Sequence, residues 1–179
     1  CAKEGSSLVG IELYNISQFI ISSFEIKKYV NKSKLDNISN LKKCAKDIPL
    51  MEFLSREISS VLDSTGQIKE NHPELKSLRR GLGELNNKIS NLSSSYITDN
   101  RNLWQTDVPT QQDGRIVLPL KSNFKGKVKG IIHDISARGN ILYIEPFDIL
   151  ELNNKIAVQE HEISIIANRI YRELTVKVR

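Results

Sequence analysis

From Phe147 to Arg179 the chain contains neither Gly nor Pro, and isoleucine recurs every seven residues at Ile149, Ile156, Ile163 and Ile170. Leu152, Ile166 and Leu174 fill the neighbouring seam. An apolar stripe of this period predicts one long packed helix or a coiled-coil-like arm. At about 1.5 Å per residue it would span roughly 45 to 50 Å, longer than a small round domain needs. Gln159 and Glu160 interrupt the seam, so a self-sufficient coiled coil is not expected.

The first half of the chain also has helical period. Leu8, Ile11, Leu13, Ile16, Phe19, Ile20, Phe24 and Ile26 mark an amphipathic helix over residues 8–30, with Lys28 suited to the negative end of its dipole. A second helix is expected over 35–45, and a third over 49–62 with Pro49 in its first turn. Asp63-Ser64-Thr65-Gly66 is turn chemistry, with Gly66 fitted for a positive φ, and residues 67–69 read as a short extended piece. Pro73 and Glu74 then open a helix that continues through Leu78, Leu82, Leu85, Ile89 and Leu92 to about Tyr96. Gly81 and Gly83 inside it either permit a close helix crossing or are simply tolerated.

Between these helical stretches lies one β island. Asp113-Gly114 is a strong turn signal. Strands are expected over residues 115–121, 127–135 and 141–145, with a turn at 136–140 carrying Gly139 and a stop at Pro146. Pro119 argues for an edge position in the first strand. Connections this short suit a three-stranded antiparallel meander. The fold class is therefore mainly α with a small antiparallel sheet: a helical segment over 1–112, the β subdomain over 113–146, and a returning helix over 147–179.

Charge is concentrated on that island. Between Asp113 and Tyr143 six basic residues (Arg115, Lys121, Lys125, Lys127, Lys129, Arg138) face two acidic ones (Asp113, Asp134), a balance of +4 in a chain of net charge +5. This asymmetry points to a polyanionic partner. Lys125, Lys127 and Lys129 share parity and would leave one face of a regular strand, with Lys121 and Arg138 at neighbouring loop ends. Contacts of this kind to phosphates would add affinity without reading sequence. The same lysines could instead blunt an exposed sheet edge.

Several function classes are unsupported. With 39% apolar and 26% charged residues the chain reads as a folded, soluble protein. It shows no signal peptide and no membrane-spanning run, and its Cys1 start reads as a piece of a longer protein. Cys1 and Cys44 have no metal or disulfide spacing and fit thiols of a reducing, cytoplasmic compartment. His72, His133 and His161 lie too far apart in sequence to argue a zinc site. There is no Gly-x-x-x-x-Gly-Lys-Ser/Thr loop, no His-Glu-x-x-His and no Gly-x-Ser-x-Gly. His133-Asp134 invites a hydrolase reading, but adjacent strand residues point to opposite faces and no nucleophile accompanies them.

The island also resembles a known family. Leu118-Pro119-Leu120-Lys121, Gly130-Ile131-Ile132-His133-Asp134, Tyr143-Ile144-Glu145-Pro146 and Asn153-Asn154 follow, in order, the motif region of bacterial MutS type-two proteins. The Asp63–Gly66 turn and Pro73-Glu74-Leu75 match as well. Two positions depart: Arg138 stands where that family usually has Ser, and Ile141 where it often has Thr. No role for a hydroxyl pair carries over. The resemblance implies a core and lever of helices carrying a clamp-like β tip that grips nucleic acid, with no catalytic residues in these 179. It implies ATP and Mg in the full-length protein, an Smr endonuclease domain in many relatives, and homodimers. Branched or duplex DNA, or the rRNA of stalled or collided ribosomes, would be the partner. Lys121, Lys125, Lys127, Lys129 and Arg138 would contact phosphates, and His133, Asp134, Gly139, Glu145, Pro146, Asn153 and Asn154 would be structural. A dimerisation and mechanical module without nucleic-acid affinity is the alternative.

Overall fold

The computed structural model describes residues 7–34 and 37–179; Cys1 and the expected start of the second helix at Leu35 lie outside the described residues. The helices are α1 (Gly10–Lys32), α2 (Ser39–Lys46), α3 (Glu52–Val61), α4 (Pro73–Asp99) and α5 (Phe147–Val178). The strands are β1 (Thr110–Gln112), β2 (Arg115–Lys121), β3 (Gly130–Ile135) and β4 (Ile141–Pro146). The fold is mainly α with a small antiparallel sheet, as expected. The chain forms two compact units, residues 1–76 with 165–179, and residues 77–164.

In the first unit α1 packs on α3 around Leu13 and Ile58, both fully buried. The crossing is built with serines. Ser17 Oγ donates to the Ser55 carbonyl at 3.1 Å and shares a 2.9 Å hydrogen bond with Ser59 Oγ, so small side chains let the backbones approach while every hydroxyl keeps a partner. The Asp63 turn forms as its residues predict. Asp63 Oδ1 accepts from the Thr65 amide (2.8 Å), the Thr65 hydroxyl (2.7 Å) and the Gln67 amide (3.0 Å). The Thr65 hydroxyl bond leads in holding that carboxyl below its ordinary value. Ile68 bridges back to Leu62, which is the extended piece expected there.

Gly66 sits at φ +80°, and a Cβ on it would lie 2.3 Å from the Ile11 nitrogen. Tyr171 Oη donates to the Gly66 carbonyl at 3.1 Å, so this turn is wedged between α1 and the end of α5.

In the second unit the sheet order is β1-β2-β4-β3, all antiparallel. This corrects the three-stranded meander in two ways. A fourth strand, β1, pairs with β2 across the Asp113-Gly114 turn, whose φ values of 47° and 79° are those of a two-residue hairpin turn matched to strand twist. Strand β4 lies between β2 and β3: of the connections β2–β3 and β3–β4, only the second is a tight turn. There Gly139 (φ 70°) donates to the Ser136 carbonyl at 2.7 Å. The β2–β3 connection instead carries a one-turn 3-10 helix (Ser122–Phe124).

Pro119 is not on an edge strand, since β2 has neighbours on both sides. It is tolerated because the ladder with β1 ends at Val117. Beyond that point an isolated Trp104–Leu120 bridge and the Gln105 amide on the Pro119 carbonyl (2.8 Å) cover that side, so the missing N–H falls outside any regular ladder.

One face of the sheet (Leu118, Leu120, Leu142, Ile144) packs with Trp104 on Ile89 and Ile97 of α4 and Ile149 and Ile156 of α5. The seven-residue isoleucine spacing thus marks a buried face. The interruption at Gln159 also has a reason. Its Nε2 donates to the Leu78 carbonyl at 2.6 Å, and a Cβ on Gly81 would come within 2.5 Å of that nitrogen. Gly81 makes room for Gln159, whereas nothing lies within 4 Å of a Cβ on Gly83.

Replacing Gly66 by Ala is expected to cost about 3 kcal/mol or more, combining left-handed strain with overpacking against Ile11. Gly114→Ala, at a similar φ of +79° with nothing within 4 Å of the new Cβ, is expected to cost only about 1 to 2 kcal/mol. Urea denaturation of the two variants checks the difference, and equal losses would contradict the wedged turn.

Candidate nucleic-acid interface

The site begins where β4 becomes α5. Glu145 is fully buried yet charged, and it has a partner on every side. Arg115 donates from Nε to both carboxylate oxygens (3.0 and 3.2 Å) and closes an ion pair from Nη2 at 2.8 Å. Asn153 Nδ2 donates at 2.5 Å, and His133 Nε2 lies 2.6 Å from Oε2. Arg115 Nη2 also reaches Asn154 Oδ1 at 2.7 Å. Burial alone would push the Glu145 carboxyl up; the bonds from Arg115, Asn153 and His133 outweigh it and hold the group below its ordinary value of 4.5. An ionised carboxylate only accepts, so His133 Nε2 carries the hydrogen of that contact.

Asn153 has a second task. The register Leu118↔Ile144 places Ile116 opposite Pro146, which has no N–H to give. The Asn153 side-chain amide stands in. Its Oδ1 accepts from the Ile116 amide and its Nδ2 donates to the Ile116 carbonyl, each at 3.0 Å. One side chain of α5 therefore extends the β2 ladder by a step and ties the helix to the sheet.

A cleft of about 770 Å³ opens beside this junction, lined by Tyr96, Phe124, Lys127, Lys129, Phe147 and Asn102 among others. The Phe147 amide donates to the Lys129 carbonyl at 3.3 Å, which fixes the loop before β3 against the first turn of α5. Asp148 also lines the cleft, but its Oδ2 takes the Tyr96 hydroxyl at 2.8 Å. Partial burial, then that bond and the Asp148 charge, push the Tyr96 phenol up to about 12. It stays a donor at any physiological pH.

The expected row of lysines on one strand face is not present. β3 begins only at Gly130, so Lys125, Lys127 and Lys129 lie on a loop. Gly126 at φ 87° interrupts any extended run there, and strand parity does not apply. Lys127 and Lys129 nevertheless meet in the cleft, while Lys125 caps the 3-10 turn outside it. Lys121 donates to the Asn102 carbonyl at 3.0 Å. Arg138 lines a separate depression of about 310 Å³ with Gln105, Ser136 and Asn140. Among the described residues, no ion pair involves Lys125, Lys127, Lys129 or Arg138. Asp134 accepts the Ile135 amide at 2.7 Å and takes no part with His133.

Comparison with known proteins agrees in one direction. The chain is 28% identical over 97% of its length to Endonuclease MutS2 of Thermotoga maritima. It is 29% identical over 98% to that of Synechocystis sp., and 32% over 94% to that of Caldanaerobacter subterraneus subsp. tengcongensis. The chain is of the MutS2 type. It spans about a fifth of these relatives, 21 to 23% of their length. No family model matches it.

In this MutS2-type segment the motif residues His133 and Asn153 meet on the buried Glu145 carboxylate, Asn154 holds the Arg115 guanidinium that pairs with it, and Pro146 creates the gap that Asn153 fills. Arg115, the principal partner of Glu145, was counted in the sequence only as part of the basic excess. It lies 30 residues from Glu145 along the chain, and no local spacing signals the pair. Among the described residues no group of His, Cys, Asp and Glu is arranged for a metal ion. No helix among the described residues is long and apolar enough to cross a membrane.

Glu145→Gln is expected to cost about 3 to 5 kcal/mol, because Arg115 would keep a half-buried charge without its counter-ion. The pH dependence follows from the lowered carboxyl value. The Glu145 contribution is complete above the unfolded-state value near 4.5 and is lost as pH falls through the lower folded-state value. Denaturation of both proteins between pH 7 and pH 3 checks this: the acid loss of stability is expected to be smaller in the Gln variant.

Proposed function

We propose that this chain is a non-catalytic core, lever and clamp part of a MutS2-type ATPase, and that its basic β subdomain grips nucleic acid through phosphates. The carrying observation is that Lys127 and Lys129 project into one cleft, held by the Phe147–Lys129 contact, with no ion pair among the described residues to neutralise either. Lys125 on the same loop and Lys121 beside it would extend the phosphate track, and Arg138 would add a contact elsewhere on the subdomain. Branched DNA in recombination control and rRNA in the rescue of stalled or collided ribosomes are both partners that such a grip serves. In the full-length protein, ATP with Mg and an Smr nuclease would act in regions outside this chain, in a homodimer of the cytoplasm.

Replacing Lys125, Lys127 and Lys129 together by Gln is expected to weaken binding to four-way junction DNA, plain duplex and structured rRNA. The slope of log affinity against log salt should become shallower by about one for each phosphate no longer neutralised. Unchanged affinity and slope in a salt titration of the three ligands would sink the phosphate grip. The preferred ligand would separate recombination from translation.

A second reading rests on β3. This strand pairs only with β4, and it exposes Ile131, Ile132 and Ile135 along an open edge. In that reading the subdomain is a dimerisation and mechanical module without nucleic-acid affinity. It predicts concentration-dependent self-association that is insensitive to salt and is abolished by Ile135→Lys, measured by analytical ultracentrifugation.

A further inference from the structure

The cleft beside the β4–α5 junction offers more than charge. Phe147 is 54% exposed at the first position of α5, with its ring not consumed by the core. Phe124 and Tyr96, both half-buried, supply further aromatic surface in the same cleft, and Lys127 and Lys129 supply cations. At about 770 Å³ the space exceeds what two lysines need for a backbone phosphate. Aromatic faces beside cations are the equipment of sites that stack bases and neutralise the phosphates next to them. In a duplex those base faces are covered by neighbouring pairs, so only an unpaired nucleotide can bring one to Phe147.

We infer that this cleft is a subsite for an unpaired nucleotide, its base stacked on Phe147 and its flanking phosphates held by Lys127 and Lys129. The inference rests on the phosphate grip proposed above and narrows it to nucleic acid with single-stranded or extruded bases. The geometry of the Phe147 backbone suits the role. Its amide is bonded to the Lys129 carbonyl, so the backbone positions that carry the stacking ring and the adjacent cation are held next to each other. Asp148, the one carboxylate lining the cleft, is oriented by the Tyr96 hydroxyl on its Oδ2 and keeps its charge, so the two lysines must outweigh it at a bound phosphate.

Trp104 is the only tryptophan of the chain and lines the same cleft, so its fluorescence reports occupancy directly. The 179-residue chain is titrated with short oligodeoxythymidylate, with oligouridylate and with blunt duplex DNA, at several salt concentrations. The expected result is a Trp104 response to the single strands and a preference for them over duplex. Phe147→Ala should lose about tenfold in single-strand affinity, leave duplex affinity unchanged, and be rescued by Phe147→Tyr. Because Phe147 is largely exposed, the Ala variant keeps the core intact, and its circular dichroism is expected to match the parent. Comparison of the two single strands shows whether deoxyribose or ribose is preferred, and either preference supports the subsite. Salt-dependent binding of duplex and single strand alike, with no Phe147 effect, overturns the subsite and leaves the phosphate grip standing. No binding of any of the three overturns both.

Discussion

A buried carboxylate organises the second unit. Glu145 has no contact with solvent, and an isolated charge in that position would be costly by many kcal/mol. It is tolerated because Arg115 from β2, His133 from β3 and Asn153 from α5 all converge on its two oxygens. Three elements far apart in sequence are thereby brought to one point with defined orientation. A hydrophobic residue of similar volume could fill the space, but it could not specify which strand and which helix meet there. Directional bonds to one charge do that.

The basic character of the subdomain follows from this arrangement. Arg115 is spent on the interior, whereas Lys121 meets the Asn102 carbonyl at an exposed site, so one of the six cations counted in the island is withdrawn from the surface. The exposed positive charge is left chiefly on the loop before β3 and in the turn before β4. A loop suits that role better than the expected strand, since side chains on it can approach one cleft from different directions. The bond from the Phe147 amide to the Lys129 carbonyl keeps that loop in place without occupying a lysine side chain.

What could be read from the chain, and what could not, divides along physical lines. The seven-residue isoleucine period marked α5 and its buried face, because a helical stripe is local and repetitive. The Asp63–Gly66 turn and the Pro73 helix start were legible for the same reason: one or two residues fix the backbone there. Strand β1 was not. Thr110-Gln111-Gln112 has no alternating apolar pattern, and only the Asp-Gly turn beside it implied a hairpin partner. The strand order was missed because β4 pairs with both β3, its neighbour in sequence, and β2, from which β3 and its loops separate it along the chain. His133, Glu145, Asn153 and Asn154 were singled out through family resemblance, yet the meeting of His133 and Asn153 on the Glu145 oxygens, and the place of Arg115 between Glu145 and Asn154, are tertiary facts without a local signal.

The substitution of Asn153 for the missing Pro146 amide has a dynamic consequence. A ladder normally opens at its own ends, strand from strand. Here the last rung of β2 is a helix side chain, so the Ile116 amide is released only when Asn153 withdraws. Hydrogen exchange at that single amide therefore reports the fraying of the helix, and the end of the sheet and the opening turns of α5 behave as one cooperative unit.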